Sequence, residues 1–234
     1  MVRFEENGIR FDLQWVASWI PPGSKVLDLG CGEGELLHYL KTHKSVEGTG
    51  IELDEAKAAR CIERGLSVVH GDMNREIRDF AENSFDFVIL SQTLQQVYEP
   101  AELLRHILRI GKNGVVSFPN FSYWRIRLQL LLTGYAPVTR ELPYQWYDTP
   151  NIRVITLKDF KKFADAVGFE IVRSAALVIV DEKRGGRRVS FLPNLRAAYG
   201  IFQIRKNHQE TLKQTKSPAP SKDESQRKVK ETPS

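Results

Sequence analysis

The stretch VLDLGCGEG, Val26 to Gly34, sets a carboxylate, Asp28, two positions ahead of three glycines, Gly30, Gly32 and Gly34. Glycines where a strand gives way to a helix let the backbone come close to a ligand, and the helix N-terminus adds partial positive charge. Two chemistries use that arrangement. A dinucleotide site wants G-x-G-x-x-G with a pyrophosphate on the helix dipole. Here the spacing is one residue short, and a carboxylate at Asp28 repels a pyrophosphate. The same carboxylate receives the ammonium of an amino acid, directly or through water. S-adenosylmethionine carries such an ammonium and no phosphate, so D-x-G-x-G-x-G points to that cofactor and away from NAD.

Acids further along extend the set. Glu52 ends an apolar run 24 residues after Asp28, where an acid accepts both hydroxyls of a ribose. Asp72, in HGDM, is placed to take an adenine amino group while Leu53 and Met73 press on the ring faces. Ser91, in LSQT, closes a fourth run beneath the loop, and Cys31 faces the ligand by its backbone. Each residue has a plainer reading: Glu52 and Asp72 as helix caps, Asp28 as a buried acid bonded to loop amides. Taken together and in this order they read as a binding site. No catalytic residue is assigned. His70 and His106 stand alone in a strand end and a helix, where histidines are commonly structural or exposed. No histidine neighbours Cys31 in sequence to activate its thiol.

These residues need a scaffold that brings strand ends together. SKVLDL, SVEGTGIEL, LSVVH, FDFVIL and GVVSF are short and rich in Val, Ile, Leu and Phe, as buried parallel strands are. ELLHYLKT, DEAKAARCIERG and PAELLRHILRIG between them are amphipathic, and the last two end on glycine as a C-cap would. Strand and helix in alternation predict an α/β fold, a parallel sheet with helices on both faces. Residues 119–150 break the rhythm with a short apolar helix and a Pro- and aromatic-rich segment, an expected insertion over the carboxyl edge of the sheet. TLKDFKKFADAVGF, closed near Gly168, then restores it, and EIVRSAALVIV and AAYGIFQIR, joined by the polar loop DEKRGGRR, bring the strand count to seven.

With 234 residues, 41% hydrophobic and 27% charged, the chain can bury one sizeable core. No apolar run approaches bilayer-spanning length, and MVRFEENGIRF lacks both the basic and the apolar region of a signal peptide, so a cytoplasmic protein is expected. Two cysteines without framework spacing fit a reducing compartment. The net charge of +5 is concentrated in residues 206–234, where seven Lys and Arg face four Asp and Glu. That tail is poor in large apolar residues and is expected to be disordered, leaving residues 1–205 as the folded domain. The body is nearly balanced, which argues against nucleic acid as a partner. Lys183, Arg184, Arg187 and Arg188 read as a solvated hairpin. The five histidines and two cysteines lack zinc-ligand spacing, so no metal is expected.

Over about residues 10–205 the order of these motifs resembles the class I S-adenosylmethionine-dependent methyltransferases, with their Rossmann-like, seven-stranded, mostly parallel sheet. LDLGCGEGELLHYL, SFDFVILSQTLQQV, SFPNFSYWRIRLQLLLTG, LPYQWYDTPNIRVITLKDF and FLPNLRAAYGIFQI are similar to the methionine-biosynthesis protein MetW family. The run PYQWYDTPNI is far more specific than the glycine loop. The resemblance implies a bacterial cytoplasmic protein that serves methionine synthesis at homoserine O-acylation, together with homoserine O-acyltransferase. The chain has no G-x-S-x-G elbow and no H-x-x-x-D pair, so any part in acylation is that of a partner. An intact Asp28, Glu52 and Asp72 set further suggests sensing of adenosylmethionine. The alternative is a methyltransferase of a small molecule, against which the lack of a base weighs little, because the cofactor supplies an activated methyl group. Phe121, Tyr123, Trp124, Tyr144, Trp146 and Tyr147 then line an acceptor pocket, anchor a partner, or form a lid packed on the sheet edge. The roles of Asn120, Asp148 and Asn151 beside them stay open.

Overall fold

Val26 to Leu29 are buried in succession, and alternate residues serve different cores. Val26 joins Phe87 and Ile89 on one side, while Leu27 and Leu29 join Val88 and Leu90 on the other, as the two-residue period of a strand requires. A strand covered on both faces is what a parallel sheet between helical layers produces. The computed structural model describes residues 9–140, 142–181 and 185–207. Its strands are β1 (Lys25–Leu29), β2 (Glu47–Glu52), β3 (Ser67–His70), β4 (Phe85–Ser91), β5 (Gly111–Pro119), β6 (Phe169–Asp181), β7 (Gly185–Arg188) and β8 (Tyr199–Lys206). They form one sheet in the order β3-β2-β1-β4-β5-β8-β6-β7. Neighbours from β3 to β5 are parallel, whereas β8 is antiparallel to both β5 and β6.

The helices are α1 (Phe11–Ser18), α2 (Glu35–Lys44), α3 (Glu55–Glu63), α4 (Met73–Glu76), α5 (Pro100–Ile110), α6 (Trp124–Thr133), α7 (Leu157–Val167) and α8 (Pro193–Arg196). Helices α1 to α3 contribute Val16, Leu37, Leu40 and Cys61 to the core on one face. On the other face α5 and α7 contribute Leu104, Ile107 and Phe160. There Phe160 lies 4.6 Å from Phe202 and 5.1 Å from Phe118, ring centre to ring centre, in the tilted geometry that aromatic quadrupoles favour.

Two expectations change. The sheet has eight strands, because part of the loop DEKRGGRR pairs with β6 as β7. Gly186 permits this: a Cβ there would stand 2.6 Å from the Phe11 ring. Lys183 and Arg184 lie outside the described residues, as does the tail from residue 208. Gly111 is no left-handed cap, since its φ of −115° and ψ of 142° already belong to β5. It is glycine for space, with Val88 Cγ2 only 2.6 Å from the position of a Cβ. Gly168, by contrast, ends α7 with φ 87°, the left-handed conformation that glycine tolerates. Helix α1, whose Phe11, Asp12, Leu13, Val16 and Ala17 are buried, was not apparent in the sequence.

The segment after β5 splits in two. Asn120 is fully buried and donates to the carbonyls of Asn194 and Ala197 at 2.9 and 2.8 Å, fastening the exit of β5 to α8. Tyr123, Ile126 and Leu142 join the core, and the N–H groups of Ile152 and Arg153 both donate to the Gln95 carbonyl at 3.0 Å. Trp124, Tyr144, Trp146 and Tyr147 stay exposed. No helix among the described residues is long and apolar enough to cross a membrane.

Candidate functional site

Strand order reverses between β1 and β4, and in open α/β sheets the crevice at the carboxyl ends beside such a reversal receives ligands. The glycine loop leaves β1 there. Gly30, Gly32 and Gly34 have φ of 72°, 59° and 75°, values costly for a residue with a Cβ. The turn they make carries the N–H groups of Gly30 and Cys31 onto the Ile51 carbonyl at 2.8 and 3.1 Å. Nothing lies within 4 Å of the position of a Cβ on Gly32.

Glu52, the last residue of β2, closes on this loop. One carboxylate oxygen accepts from the Gly32 N–H at 2.7 Å and the other from the Asp54 N–H at 3.0 Å. A carboxylate has about four acceptor positions, so two remain. Asp28 differs. It is 3% exposed, and among the described residues no donor bonds its carboxylate. Burial, and secondarily the charge of Glu52, push its pKa up to about 7. A buried carboxylate without a donor is costly, and a cation beside it relieves that cost.

Asp72 follows β3 and caps α4, accepting from the N–H and the side-chain amide of Asn74 at 2.9 Å each. Met73 is half-buried, whereas Leu53 is 69% exposed. Ser91, at the end of β4, spends its hydroxyl on Ser117 Oγ at 3.0 Å. Cys31 lies 4.0 Å, sulfur to sulfur, from Cys61, and burial raises the pKa of both thiols, that of Cys31 strongly, which disfavours the thiolate a nucleophile needs. His70 contacts the Leu53 carbonyl at 3.0 Å, and His106 lies 3.5 Å from Glu102. Asp28, Gly30, Cys31, Gly32, Glu52 and Ser91 thus sit at the ends of adjacent strands, with Asp72 and Met73 one strand further out. No group of three or more His, Cys, Asp or Glu able to hold a metal occurs among the described residues.

A polar network near the reversal escaped the reading of the sequence. Arg10 forks onto Asp12 at 3.2 and 3.0 Å, and the buried Asp12 also accepts from the Gln92 side chain. Gln92 follows β4 with φ 52°, and Gln95 donates to its carbonyl at 2.7 Å. Thr93 stands over the loop, its Oγ1 being 3.1 Å from where a Cβ of Gly30 would lie. Asp12 and Gln92 are 80 positions apart, so no local pattern announces their pairing.

Comparison with known proteins agrees with this architecture. A methyltransferase from Thermotoga maritima superposes with a TM-score of 0.63 at 18% identity, covering 84% of this chain and 88% of that one. An ubiquinone biosynthesis O-methyltransferase of Methylococcus capsulatus is 28% identical over 132 residues, 54% of this chain and 55% of its own. The bifunctional methionine biosynthesis protein MetXA/MetW of Rhodopirellula baltica is 35% identical over 162 residues, 65% of this chain. The chain spans only 26% of that relative's length and about half of the ubiquinone enzyme's. The model of the methionine biosynthesis protein MetW family matches residues 10–204. This chain, with the class I methyltransferase fold, belongs to the MetW family.

Proposed function

We propose that the protein binds S-adenosylmethionine at the carboxyl ends of β1 to β4 and acts in methionine synthesis as an accessory partner of homoserine O-acyltransferase. The observation that carries the binding reading is Asp28, a buried carboxylate without a donor beside an open glycine loop. The cofactor's ammonium is the cation that would ionise it. Glu52 has acceptor positions left for ribose hydroxyls, and Asp72 for the adenine amino group. Leu53 and Met73 offer apolar surface to the ring, Cys31 presents backbone, and Gly30 and Gly32 keep the loop free of side chains. Ser91 supports the floor through Ser117. The cofactor itself brings an activated methyl group.

The accessory role is supported by the Rhodopirellula baltica relative, in which the names MetXA and MetW belong to one chain. The thiol chemistry of acyl transfer has no support here, since both cysteines are buried with raised pKa. Two free buried thiols also suit a reducing cytoplasm. Residues 1–205 are assigned as the methyltransferase-like domain, with 119–150 as its insertion. The cofactor then serves as a signal of methionine supply.

Two measurements test this reading. Calorimetry is expected to show adenosylmethionine binding that Glu52→Ala weakens, and no heat with either adenosylmethionine or adenosylhomocysteine would sink the cofactor assignment. Homoserine acylation by the same organism's acyltransferase is expected to rise when the protein is added. Unchanged acylation, with turnover of the cofactor on a defined metabolite, would identify a small-molecule methyltransferase instead.

A further inference from the structure

Helix α6, WRIRLQLLLT, holds six large apolar side chains, yet Ile126 is its single buried residue. Leu131 and Leu132 are 81% and 72% exposed. Beyond the left-handed cap at Gly134, Tyr135 and Trp146 are 78% and 76% exposed. Apolar side chains left exposed together on one helix mark an interaction surface. Summed with Trp124 and Tyr147, these side chains expose on the order of 1,000 Å², the scale of one side of a standard interface at about 800 Å². Trp and Tyr are the types that dominate interface energetics.

The charges select the occupant. Helix α6 carries Arg125 and Arg127 and no Asp or Glu, and over residues 124–148, which take in the aromatic turn, three arginines stand against Glu141 and Asp148. Arg125 lies 5.5 Å from the centre of the Trp124 ring. In a two-fold pairing the same patch meets itself, which sets these arginines against their own copies. A partner whose apolar surface is rimmed by carboxylates has complementary potential instead. The fused relative points to which partner that is.

We infer that α6 and the aromatic turn after it are the docking surface for homoserine O-acyltransferase, which meets them with an apolar face rimmed by acidic side chains. The inference rests on the accessory role proposed above and adds its location. The test is binding of purified acyltransferase to the wild type, to Leu131→Glu/Leu132→Glu and to Trp146→Ala, with melting temperature and adenosylmethionine affinity as controls. Each variant is expected to lose at least about tenfold in partner affinity while both controls hold, because the replaced side chains support no core. Wild-type binding that both variants retain in full would overturn the docking surface and leave the accessory role standing. No wild-type complex would overturn both. A wild-type dimer that the double variant dissociates without loss of acyltransferase binding would assign the face to a second copy and overturn the inference.

Discussion

At Asp28 the electrostatic cost has a definite sign. Its folded pKa of about 7 lies above the ordinary aspartate value of 3.8, so between the two the folded chain keeps a proton that the unfolded chain releases. Stability is therefore highest at the acid end of that window and falls as pH rises through it, levelling off above 7. A shift of this size corresponds to a few kcal/mol, on the order of 4 at about 1.4 per unit. Asp28→Asn, neutral at every pH, is expected to match the wild type near pH 4 and to be more stable at pH 8. Urea unfolding of both proteins from pH 4 to 8 checks this, and parallel curves would show that Asp28 is not held neutral. Glu52 and the thiols of Cys31 and Cys61 act on the same group and none is a cation, so in the proposed complex the ammonium of adenosylmethionine supplies the charge that ionises Asp28. Binding of adenosylmethionine at pH 6 is accordingly expected to release close to one proton. Calorimetry in buffers of different ionisation enthalpy measures it, and no proton release would remove Asp28 from the ammonium position.

At the scale of elements, Gly32 separates folding from binding. A methyl group there meets nothing within 4 Å, and its cost to the fold is the strain of φ 59° alone, roughly 1–2 kcal/mol. In the proposed complex the same methyl group would occupy the open face of the loop that receives adenosylmethionine. Gly32→Ala is expected to lower the urea midpoint modestly and adenosylmethionine affinity far more, at least about tenfold, or about 1.4 kcal/mol. Equal losses would mean that the loop merely folds. Much of this was legible in the chain itself. Strands β1, β4 and β5 hold apolar runs because both their faces are covered, and the candidate acids fall together because a parallel sheet puts every carboxyl end on one edge. What was not legible depends on groups distant in sequence. Gly111 resembles a helix cap until Val88 is seen beside it, β7 forms because Gly186 fits against Phe11, and Asp28 looks like any strand-end acid until its lack of a donor is known.

Across the whole molecule, a short chain of hydrogen bonds joins the edge proposed to bind adenosylmethionine to residues 152 and 153, which follow the proposed docking surface in the chain. Ile152 and Arg153 donate to the Gln95 carbonyl, the Gln95 side chain donates to the Gln92 carbonyl, and Gln92 reaches Ser117 through its N–H and Asp12 through its side chain. Arg153 also holds the carbonyls of Val97 and Tyr98. If adenosylmethionine changes partner affinity by some factor, the partner must change adenosylmethionine affinity by the same factor. Gln95 is the link to cut, because it lies between the two surfaces without belonging to either. Its Oε1 is buried without a partner, so Gln95→Met removes an unsatisfied oxygen along with one hydrogen bond, and the net effect on stability is expected to stay within about 1 kcal/mol. Both separate affinities should hold while the coupling factor moves toward one. Titrations of acyltransferase with and without adenosylmethionine, and the reverse pair, give that factor twice for each protein. A coupling factor unchanged in Gln95→Met would mean that the two surfaces communicate through the packed sheet rather than along this chain of bonds.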